Sequence, residues 1–411
     1  MYKVIGEGSY GCVHKPSLIC KDKDIKYKNK VSKLMKTENA EIELSEYDKI
    51  MDVDNNEDFF ISKPEICVPK LTVKNLMSIE KCKDFNIINI DDYSLLVIPD
   101  GGMDLNKFVE NIKTMENNKH NRDKIMEFWL SGHVLLKGIK EMLEKSIIHH
   151  DLKPGNIVYD PKTKKLKFID FGFMDYTTNI IKKLGDSEHS LARPYWYFPF
   201  ELSLLNRKVF NKVSKSKNKK RRSLFNNLIK NKLYDTESHM EMFYLMVDDN
   251  DVFIKENTQF FYNFFMSLKK DQYNYYIEKT VNSIDIYGLG VSFLYVLNNC
   301  KRLMDNNIWS DFRELFKTMI SASLEIRPNI DELLQRYELI LESSAIKRSL
   351  YFSNNKLQKH DKTLKTLLKS LNKTIKKYKG IKTYRESLLK DITKLQNTTS
   401  TYNTNMKTGM I

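Results

Sequence analysis

Short apolar stretches at the start of the chain have the composition of β-strands. β-branched and aromatic residues concentrate in four of them, which predict strands at 2–5, 12–14, 30–35 and 94–98. Between the last two, Ile42, Tyr47 and Ile50 recur at the spacing of one helix face and predict a helix over residues 40–51. The first hundred residues therefore predict a small, mostly β lobe that contains one helix.

The pattern changes after Gly101 and Gly102, where longer helical periodicities begin. The clearest one covers residues 128–145, and its apolar positions include Leu135, Ile139 and Met142. A short run at 165–169 again predicts a strand. A β-rich part followed by a mainly helical part predicts an α+β protein, with a small N-terminal lobe at 1–100 and a larger C-terminal lobe at 101–345.

Two segments fall outside this outline. An insert at about 202–280 contains the run Lys215 to Arg222, with six basic residues in eight and no apolar one, which we expect to be exposed and mobile. Its later part is aromatic. A Lys-rich tail at 346–411 is predicted to be partly helical, because one helix face could carry Leu364, Leu367, Leu368 and Leu371.

Composition narrows the class of protein. The 411 residues carry a net charge of +15, which suits acidic partners or polyanions without identifying one. Five scattered cysteines, never spaced as Cys-x-x-Cys, predict reduced thiols and not a disulfide framework or a zinc site. The longest apolar run, 289–297, is shorter than the ~18 residues of a membrane span. We therefore expect a soluble, cytoplasmic protein with no membrane segment and no signal peptide.

The strongest chemical signal is a loop followed by a second acid. Asp151, Lys153 and Asn156 can share one tight loop, where they would hold a hydroxyl, a phosphate and a metal ion together. Asp170 follows the strand predicted at 165–169 and can complete the metal site. Phosphoryl transfer needs such a set, because its chemistry is mostly positioning and charge neutralisation.

Glycines near the start of the chain suit a phosphate-binding hairpin. Gly6, Gly8 and Gly11 stand where side chains would hold the backbone away from a triphosphate. Alone, this pattern is equally typical of an ordinary glycine turn.

Taken together, these motifs resemble the eukaryotic-type Ser/Thr protein kinase family over about residues 2–201 and 281–345. The resemblance includes Asp170-Phe171-Gly172, Pro199-Phe200-Glu201, Asp285 and Arg327. It implies a bilobal protein-kinase fold, protein substrates, and ATP and Mg²⁺ as cofactors. The short first lobe and long insert are similar to Ser/Thr kinases of large DNA viruses, which would place the protein in a virion or the host cytoplasm.

The same resemblance implies a role for each site residue. Asp151 would accept or orient the proton of the substrate hydroxyl, and Lys153 would neutralise the γ-phosphate. Asn156 and Asp170 would hold the metal. The nucleotide-binding residues would be Ile5, Gly6, Gly8, Gly11, Val13, Lys33, Glu43 and Asp104.

Several alternatives stay open. Glu46 competes with Glu43 as the partner of Lys33, and Asp104 is equally well explained as a helix N-cap. A small-molecule kinase of related fold and a kinase-like scaffold are the competing functions. The basic insert fits either an acidic protein or polyanion, or a solvated loop without a partner.

One departure from the family pattern concerns control. His150 stands where kinases that are switched by phosphorylation have arginine. A neutral histidine cannot supply a permanent charge or a bidentate fork to a phosphate. We therefore expect activity without phosphorylation of the segment 174–198.

Overall fold

The computed structural model of the chain describes residues 2–8, 11–54, 56–82, 87–186, 195–228 and 251–354. The chain divides into two units, Met1–Ile340 and Leu341–Ile411. Both lobes and all the site residues lie in the first unit. Of the second, only residues 341–354 are described, and they are helical. The leucines predicted to form a helix in the tail lie outside the described residues.

The N-terminal lobe is a five-stranded antiparallel sheet with strand order β1-β2-β3-β5-β4. Its strands are β1 (Lys3–Gly8), β2 (Gly11–Lys15), β3 (Lys30–Lys36), β4 (Glu65–Cys67) and β5 (Tyr93–Pro99). Helix α1 (Thr37–Met51) follows β3 directly, and α2 (Val73–Ile79) precedes β5. The buried face of α1 carries Ala40, Glu43, Tyr47 and Ile50.

The C-terminal lobe is mainly helical. Two small sheets pair the strands β6 (Met103–Asp104), β7 (Ile147–Ile148), β8 (Ile157–Asp160), β9 (Lys165–Phe168) and β10 (Asp175–Tyr176) in the orders β6-β8-β9 and β10-β7. The first helices are α3 (Leu105–Thr114), α4 (Lys119–Glu144), α5 (Thr177–Gly185), α6 (Arg207–Ser214) and α7 (Asn218–Leu228). The later ones are α8 (Asp251–Ser267), α9 (Tyr273–Val281), α10 (Ile284–Cys300), α11 (Asn306–Met319) and α12 (Ile330–Asn354).

The predicted α+β fold, with a β-rich first lobe and a helical second one, is confirmed. Two details differ. Ile42, which we expected on the inner face of α1, is 58% exposed. Helix α4 begins nine residues before the predicted start at residue 128, because Asn118 caps its first turn and that turn is polar.

The expectation of reduced thiols is wrong for four of the five cysteines. Cys12 of β2 is bonded to Cys82, and Cys20 is bonded to Cys67 of β4, whereas Cys300 is free and buried. These pairs are 70 and 47 residues apart in sequence. Cys82 follows α2, and Cys20 lies in an isolated β-bridge to Pro69. Packing of separate segments brings the pairs together, and cysteine spacing carries no information about that packing.

Residues 218–222 of the basic run are helical, at the start of α7, where we expected a mobile loop; residues 215–217 connect α6 to α7. Most of its lysines are exposed, but Arg221 of α7 is buried and donates to the carbonyl groups of Met266 and Ser214. One turn further on, Phe225 packs against Phe261 and Phe265 of α8. Because α7 has this apolar face, the helix is attached to the lobe through its arginine and its phenylalanine.

No single helix in the described parts of the chain is long and apolar enough to cross a membrane. Residues Lys270–Val281 and Ile284–Leu303 reach that length and composition only as a pair, which is bent by 46°. The α10 helix in this pair is mostly buried in the C-terminal lobe.

A buried ion pair ties the segment after residue 195 to the lower part of the C-terminal lobe. The Arg327 guanidinium donates to Glu201 Oε1 at 2.7 Å, to Ser283 Oγ at 2.8 Å and to the Ser321 carbonyl oxygen. Side-chain exposure is 1% for the arginine and 0% for the glutamate. A pair this deeply buried is costly to break from one side only, because the remaining charge loses its partner.

We predict that Arg327→Ala lowers the free energy of unfolding by about 3–5 kcal/mol, because it leaves Glu201 buried without its cation. Chemical denaturation measures the effect. Arg336→Ala is the control: that arginine is one-third exposed and lies 3.9 Å from Glu332, so its removal should cost at most about 1 kcal/mol. Equal losses in the two variants would contradict the prediction.

Candidate active site

The loop between β7 and β8 brings three predicted site residues together. Asp151 receives hydrogen bonds from Lys153 Nζ, at 2.9 Å to Oδ2 and 3.2 Å to Oδ1, and from Asn156 Nδ2 at 2.6 Å. The same Asn156 amide nitrogen donates to the Asp151 carbonyl oxygen. Because both hydrogen bonds use Nδ2, the amide oxygen of Asn156 is the atom left to face a metal ion.

Helix α10 holds this loop from below. The Asp285 carboxylate accepts hydrogen bonds from the backbone N–H groups of His149 and His150, at 2.7 and 2.9 Å. Burial raises the pKa of Asp285 to about 7, although the two amide donors oppose the shift. Gly288 is required nearby, because a Cβ atom there would lie 2.4 Å from the Leu152 carbonyl oxygen.

Both histidines before Asp151 are buried and neutral. Burial lowers the pKa of His149, whose Nδ1 accepts from the Asp151 N–H while Nε2 lies 3.2 Å from the Ile169 carbonyl oxygen. Burial also lowers the pKa of His150 to about 4. The His150 ring stacks on Phe198 with centroids 5.1 Å apart. His150 thus contributes packing, not positive charge, to the segment after residue 195.

The N-terminal lobe contributes an ion pair above the loop. Lys33 Nζ lies 2.5 Å from Glu43 Oε2 and 3.5 Å from Asp170 Oδ1. Glu46 pairs instead with Lys49, so the geometry favours Glu43 as the partner of Lys33. Burial lowers the pKa of Lys33, but the two carboxylates outweigh it and the net shift is upward. Lys33 therefore remains a cation inside the cleft.

Asp170 is held between cations from both lobes. Burial raises its pKa, but Lys33 and Lys153 more than compensate and keep it below the ordinary value. Its backbone has φ 65°, an uncommon conformation for a residue with a side chain, and one that recurs at functional sites. Beside it, Phe171 packs edge-on against Tyr47 of α1 with centroids 5.1 Å apart. This contact holds Asp170 next to the helix that carries Glu43.

The glycine-rich hairpin forms the roof of the cleft. Gly6 pairs with Val13 and Gly8 with Gly11 across β1 and β2, and the tip at residues 9 and 10 lies outside the described residues. A Cβ atom on Gly11 would approach the Leu34 carbonyl oxygen to 2.9 Å. Glycine at these positions keeps the hairpin backbone free of side chains.

The remaining predicted residues lie at the rim. The Ile5 carbonyl oxygen accepts from Lys107 Nζ at 2.6 Å, which links β1 to α3. Asp104 caps α3 by accepting from the Lys107 N–H at 3.1 Å, and its side chain also pairs with the Lys107 ammonium at 3.0 Å. The cap explanation of Asp104 is therefore correct, and a contact with a ribose would be an additional role.

These groups fit a nucleoside triphosphate with a divalent cation. A carboxylate of lowered pKa, Asp170, and the amide oxygen of Asn156 are the hard oxygen donors that Mg²⁺ prefers. Lys33 and Lys153 supply the positive charge for phosphates. The donor set therefore matches both cofactors that the sequence predicted.

One contact was missed from the sequence. The Tyr197 hydroxyl donates a hydrogen bond to Asp151 Oδ1, and the Lys153 ammonium lies 5.2 Å from the centre of the same ring. In the sequence, Tyr197 lies in the aromatic run Tyr195 to Phe198. No spacing rule links residues 46 positions apart, and the run of aromatic residues was the only available signal.

We predict that His150 makes the fold less stable in acid. Its folded pKa is about 4 and its ordinary value 6.5, so between these pH values the unfolded chain binds the proton more readily. Stability is therefore complete above pH 6.5 and falls as the pH drops to 4. The cost is about 3 kcal/mol, at about 1.4 kcal/mol per pKa unit.

The test compares the free energy of unfolding at pH 7 and pH 4 in the natural chain and in His150→Asn. Asparagine does not titrate and tolerates the φ of 63° at this position. The natural chain should lose about 3 kcal/mol more than the variant. His120→Asn, which alters an exposed histidine of α4, should follow the natural chain. Parallel losses in the natural chain and His150→Asn would contradict the assignment.

Part of this chain is similar to known proteins. Residues 1–202 match the family model described as protein kinase domain. Similar stretches occur in a probable cyclin-dependent serine/threonine-protein kinase of Dictyostelium discoideum (33% identical over 114 residues) and in probable serine/threonine-protein kinase mps1 of the same organism (34% over 114). Cell cycle protein kinase spo4 of Schizosaccharomyces pombe is 36% identical over 77 residues.

The matched stretches cover 26%, 25% and 17% of this chain, and 7%, 11% and 18% of those proteins. The chain thus spans less than a fifth of the length of the curated relatives that it matches. Residues 1–202, which match the family model, contain the glycine-rich hairpin, the Lys33–Glu43 pair, the loop between β7 and β8, and Asp170. Residues 1–202 are therefore similar to a protein kinase domain, and two of the three similar proteins are named as serine/threonine-protein kinases and the third as a cell cycle protein kinase.

Proposed function

We propose that this chain transfers the γ-phosphate of ATP to serine or threonine hydroxyls of protein substrates, in a reaction that depends on Mg²⁺. The observation that carries the proposal is the convergence of Lys33, Asp151, Lys153, Asn156 and Asp170 on one cleft below a glycine-rich hairpin. Phosphoryl transfer requires positioned charges more than covalent help from the protein. This arrangement supplies them.

Each residue would have a role that follows from its charge: the cations would bind phosphates and the oxygen donors would bind the metal ion. Lys33, braced by Glu43, would hold the nonbridging phosphate oxygens of ATP. Asp170 and Asn156 would hold Mg²⁺, which would neutralise negative charge on the phosphates. Lys153 would face the γ-phosphate, because its ammonium lies at the catalytic loop beside Asp151.

Asp151 would act on the acceptor hydroxyl. Its carboxylate is fixed by hydrogen bonds from Lys153 and Asn156, so its remaining lone pairs have a defined direction. A serine or threonine hydroxyl placed there would donate its hydrogen bond to Asp151 and direct its oxygen at the phosphorus. Orientation of this kind, with removal of the proton during transfer, is what a general base contributes.

The competing functions account for fewer of the observations. A scaffold would not need Lys33, Asp151, Asn156 and Asp170 all to be present. A small-molecule kinase would not need the Glu201–Arg327 pair that anchors the segment after residue 195. That segment is where a protein substrate would lie in a kinase of this family.

We further propose that activity does not depend on phosphorylation of the segment 174–198. His150 is buried, neutral and stacked on Phe198, so it is not available as the receptor for a phosphate. Of the possible acceptors, Thr177 and Thr178 lie in α5, and Ser187 and Ser190 lie outside the described residues. Phe198 and the Glu201–Arg327 pair would hold the segment instead.

The basic insert is the proposed site for an acidic protein or polyanion. Helices α6 and α7 and the turn between them form an open groove of about 770 Å³. It is lined by Lys212, Lys215, Ser216, Lys217, Lys219, Lys220 and Ser223. Residues 207–222 include no acid, so no neighbour in this stretch offsets the charge. Lysine ammonium groups on flexible stems suit carboxylates and phosphates without strict geometry.

The likeness to kinases of large DNA viruses and the cytoplasmic location also remain proposals. Two disulfides in the N-terminal lobe are more typical of proteins from oxidising compartments. Labelling of free thiols in protein taken directly from cells and denatured without reductant would test this point, because all four cysteines are buried in the fold. Four unreactive cysteines would contradict a reducing location, and their full reaction would support it.

We predict that Asp151→Asn lowers turnover about 10²- to 10⁴-fold while ATP still binds, because it removes the proton acceptor and leaves the nucleotide contacts in place. Asp170→Asn should instead raise the Mg²⁺ concentration needed for half-maximal activity. The assay uses labelled ATP, Mg²⁺ and a peptide array with serine, threonine or tyrosine acceptors.

Asp160→Asn serves as the matched control, since Asp160 lies at the β8–β9 turn and contacts Lys162 and Thr163 only through local hydrogen bonds. Full activity of Asp151→Asn would refute the mechanism. Transfer confined to tyrosine would refute the substrate class.

We predict that charge reversal in the groove, Lys215→Glu with Lys219→Glu, weakens binding of a fluorescein-labelled glutamate-rich peptide about tenfold at low ionic strength. ATP affinity should not change. Lys26→Glu with Lys28→Glu makes the same charge change on exposed residues of the N-terminal lobe. If both double variants lose peptide binding equally, net charge alone explains the effect and the groove is not a site.

A further inference from the structure

Tyr197 closes the hydrogen-bonding arrangement around the catalytic carboxylate. Its hydroxyl donates to Asp151 Oδ1, whereas Asn156 and the shorter Lys153 contact engage Oδ2. The Asp151 side chain is only 3% exposed. The loop residues Lys153 and Asn156 therefore hold Oδ2, whereas Oδ1 accepts from Tyr197 and, at 3.2 Å, from Lys153.

The tyrosine is itself held firmly. Its ring stacks on Tyr195 with centroids 5.6 Å apart, and it meets Phe198 and Trp196 edge-on at 4.8 and 5.2 Å. Phe198 in turn stacks on His150, whose backbone is bonded to Asp285. The same buried contacts, through His150 and Asp285, therefore hold both Tyr197 and the loop that carries Asp151. The Tyr197 hydroxyl is fixed in place before a substrate binds.

The phenol is also fixed as a donor. Burial raises the pKa of Tyr197 well above its ordinary value, and the neighbouring Asp151 carboxylate raises it further. The hydroxyl therefore keeps its proton across the pH range in which proteins are assayed. Its ring adds a second contact, because the Lys153 ammonium lies over its face at 5.2 Å.

We propose that Tyr197 is a positioning residue of the phosphoryl-transfer site, whose hydroxyl orients Asp151 and whose ring restrains Lys153. The inference rests on the proposed kinase function. Without the Tyr197 hydroxyl, Oδ1 would keep only the longer contact to the flexible Lys153 side chain. The carboxylate could then rotate about its side-chain bonds, and a misdirected base loses rate although substrates still bind. The Tyr197 hydroxyl removes that freedom from the other side.

The effect should appear in kcat and not in binding. Tyr197→Phe keeps the ring and its packing but removes the hydrogen bond, so kcat should fall at least about tenfold. The KM values for ATP and for a serine peptide should stay within about twofold. The matched control is Tyr273→Phe, which also removes a buried tyrosine hydroxyl with one backbone partner, the Leu205 carbonyl oxygen at 2.7 Å, and should leave kcat unchanged.

A double-mutant cycle separates positioning from general structural damage. If Tyr197 acts through Asp151, the variant Asp151→Ala with Tyr197→Phe should be no slower than Asp151→Ala alone. An additive loss would overturn the proposal. A rise in kcat for Tyr197→Phe would also overturn it. The Tyr197 hydroxyl would then block the Asp151 oxygen, and the hydroxyl of the substrate would have to displace it.

Unfolding measurements on the natural chain, Asp151→Ala, Tyr197→Phe and the double variant distinguish a failure of this inference from a failure of the proposed kinase function. Their free energies of unfolding should be non-additive, because the two side chains share one hydrogen bond. If the natural chain transfers no phosphate but this coupling is present, the proposed function fails and the Tyr197–Asp151 contact stands. If the coupling is absent from both stability and rate, the positioning role is wrong.

Discussion

The geometry of the active site depends on one buried carboxylate. Asp285, in the first turn of α10, accepts the backbone N–H groups of both residues that precede Asp151. These two hydrogen bonds fix the loop backbone at His150, whose φ is positive. A helix, and not the loop itself, therefore sets the direction of the Asp151 side chain. Gly288 of the same helix permits the close approach that this requires.

Local signals predicted the parts of the protein in which neighbours in sequence are neighbours in space. Asp151, Lys153 and Asn156 share one loop, and the concentration of β-branched and aromatic residues located β1, β2, β3 and β5. Their contacts arise from backbone geometry over a few residues, which a single sequence records. The Lys33–Glu43 pair was only partly predictable, because Glu46 lies three residues further along α1 on a neighbouring face and could have been the partner instead.

Contacts between distant segments were missed for a common reason. The cysteine pairs, the Tyr197–Asp151 hydrogen bond and the burial of Arg221 each depend on how separate elements pack. A cysteine, a tyrosine and an arginine look the same in sequence whether exposed or paired. In the basic run, charge suggested solvent exposure, but Phe225 one turn later gave α7 an apolar face that overrides this expectation.

The aromatic residues of the insert belong to the same hydrophobic cluster as the segment that carries Tyr197. Phe225, Phe261 and Phe265 share this cluster with Tyr197 and Phe198, although the match to the kinase family ends at residue 202. A fragment that ends at residue 202 would lose the aromatic side chains of the insert from this cluster. Tyr197 and Phe198, which pack in the same cluster, would then be exposed to solvent. The smallest piece of this chain that can be expressed as a folded catalytic unit must therefore retain the insert helices, and the limits of a family model are a poor guide to where the chain can be truncated.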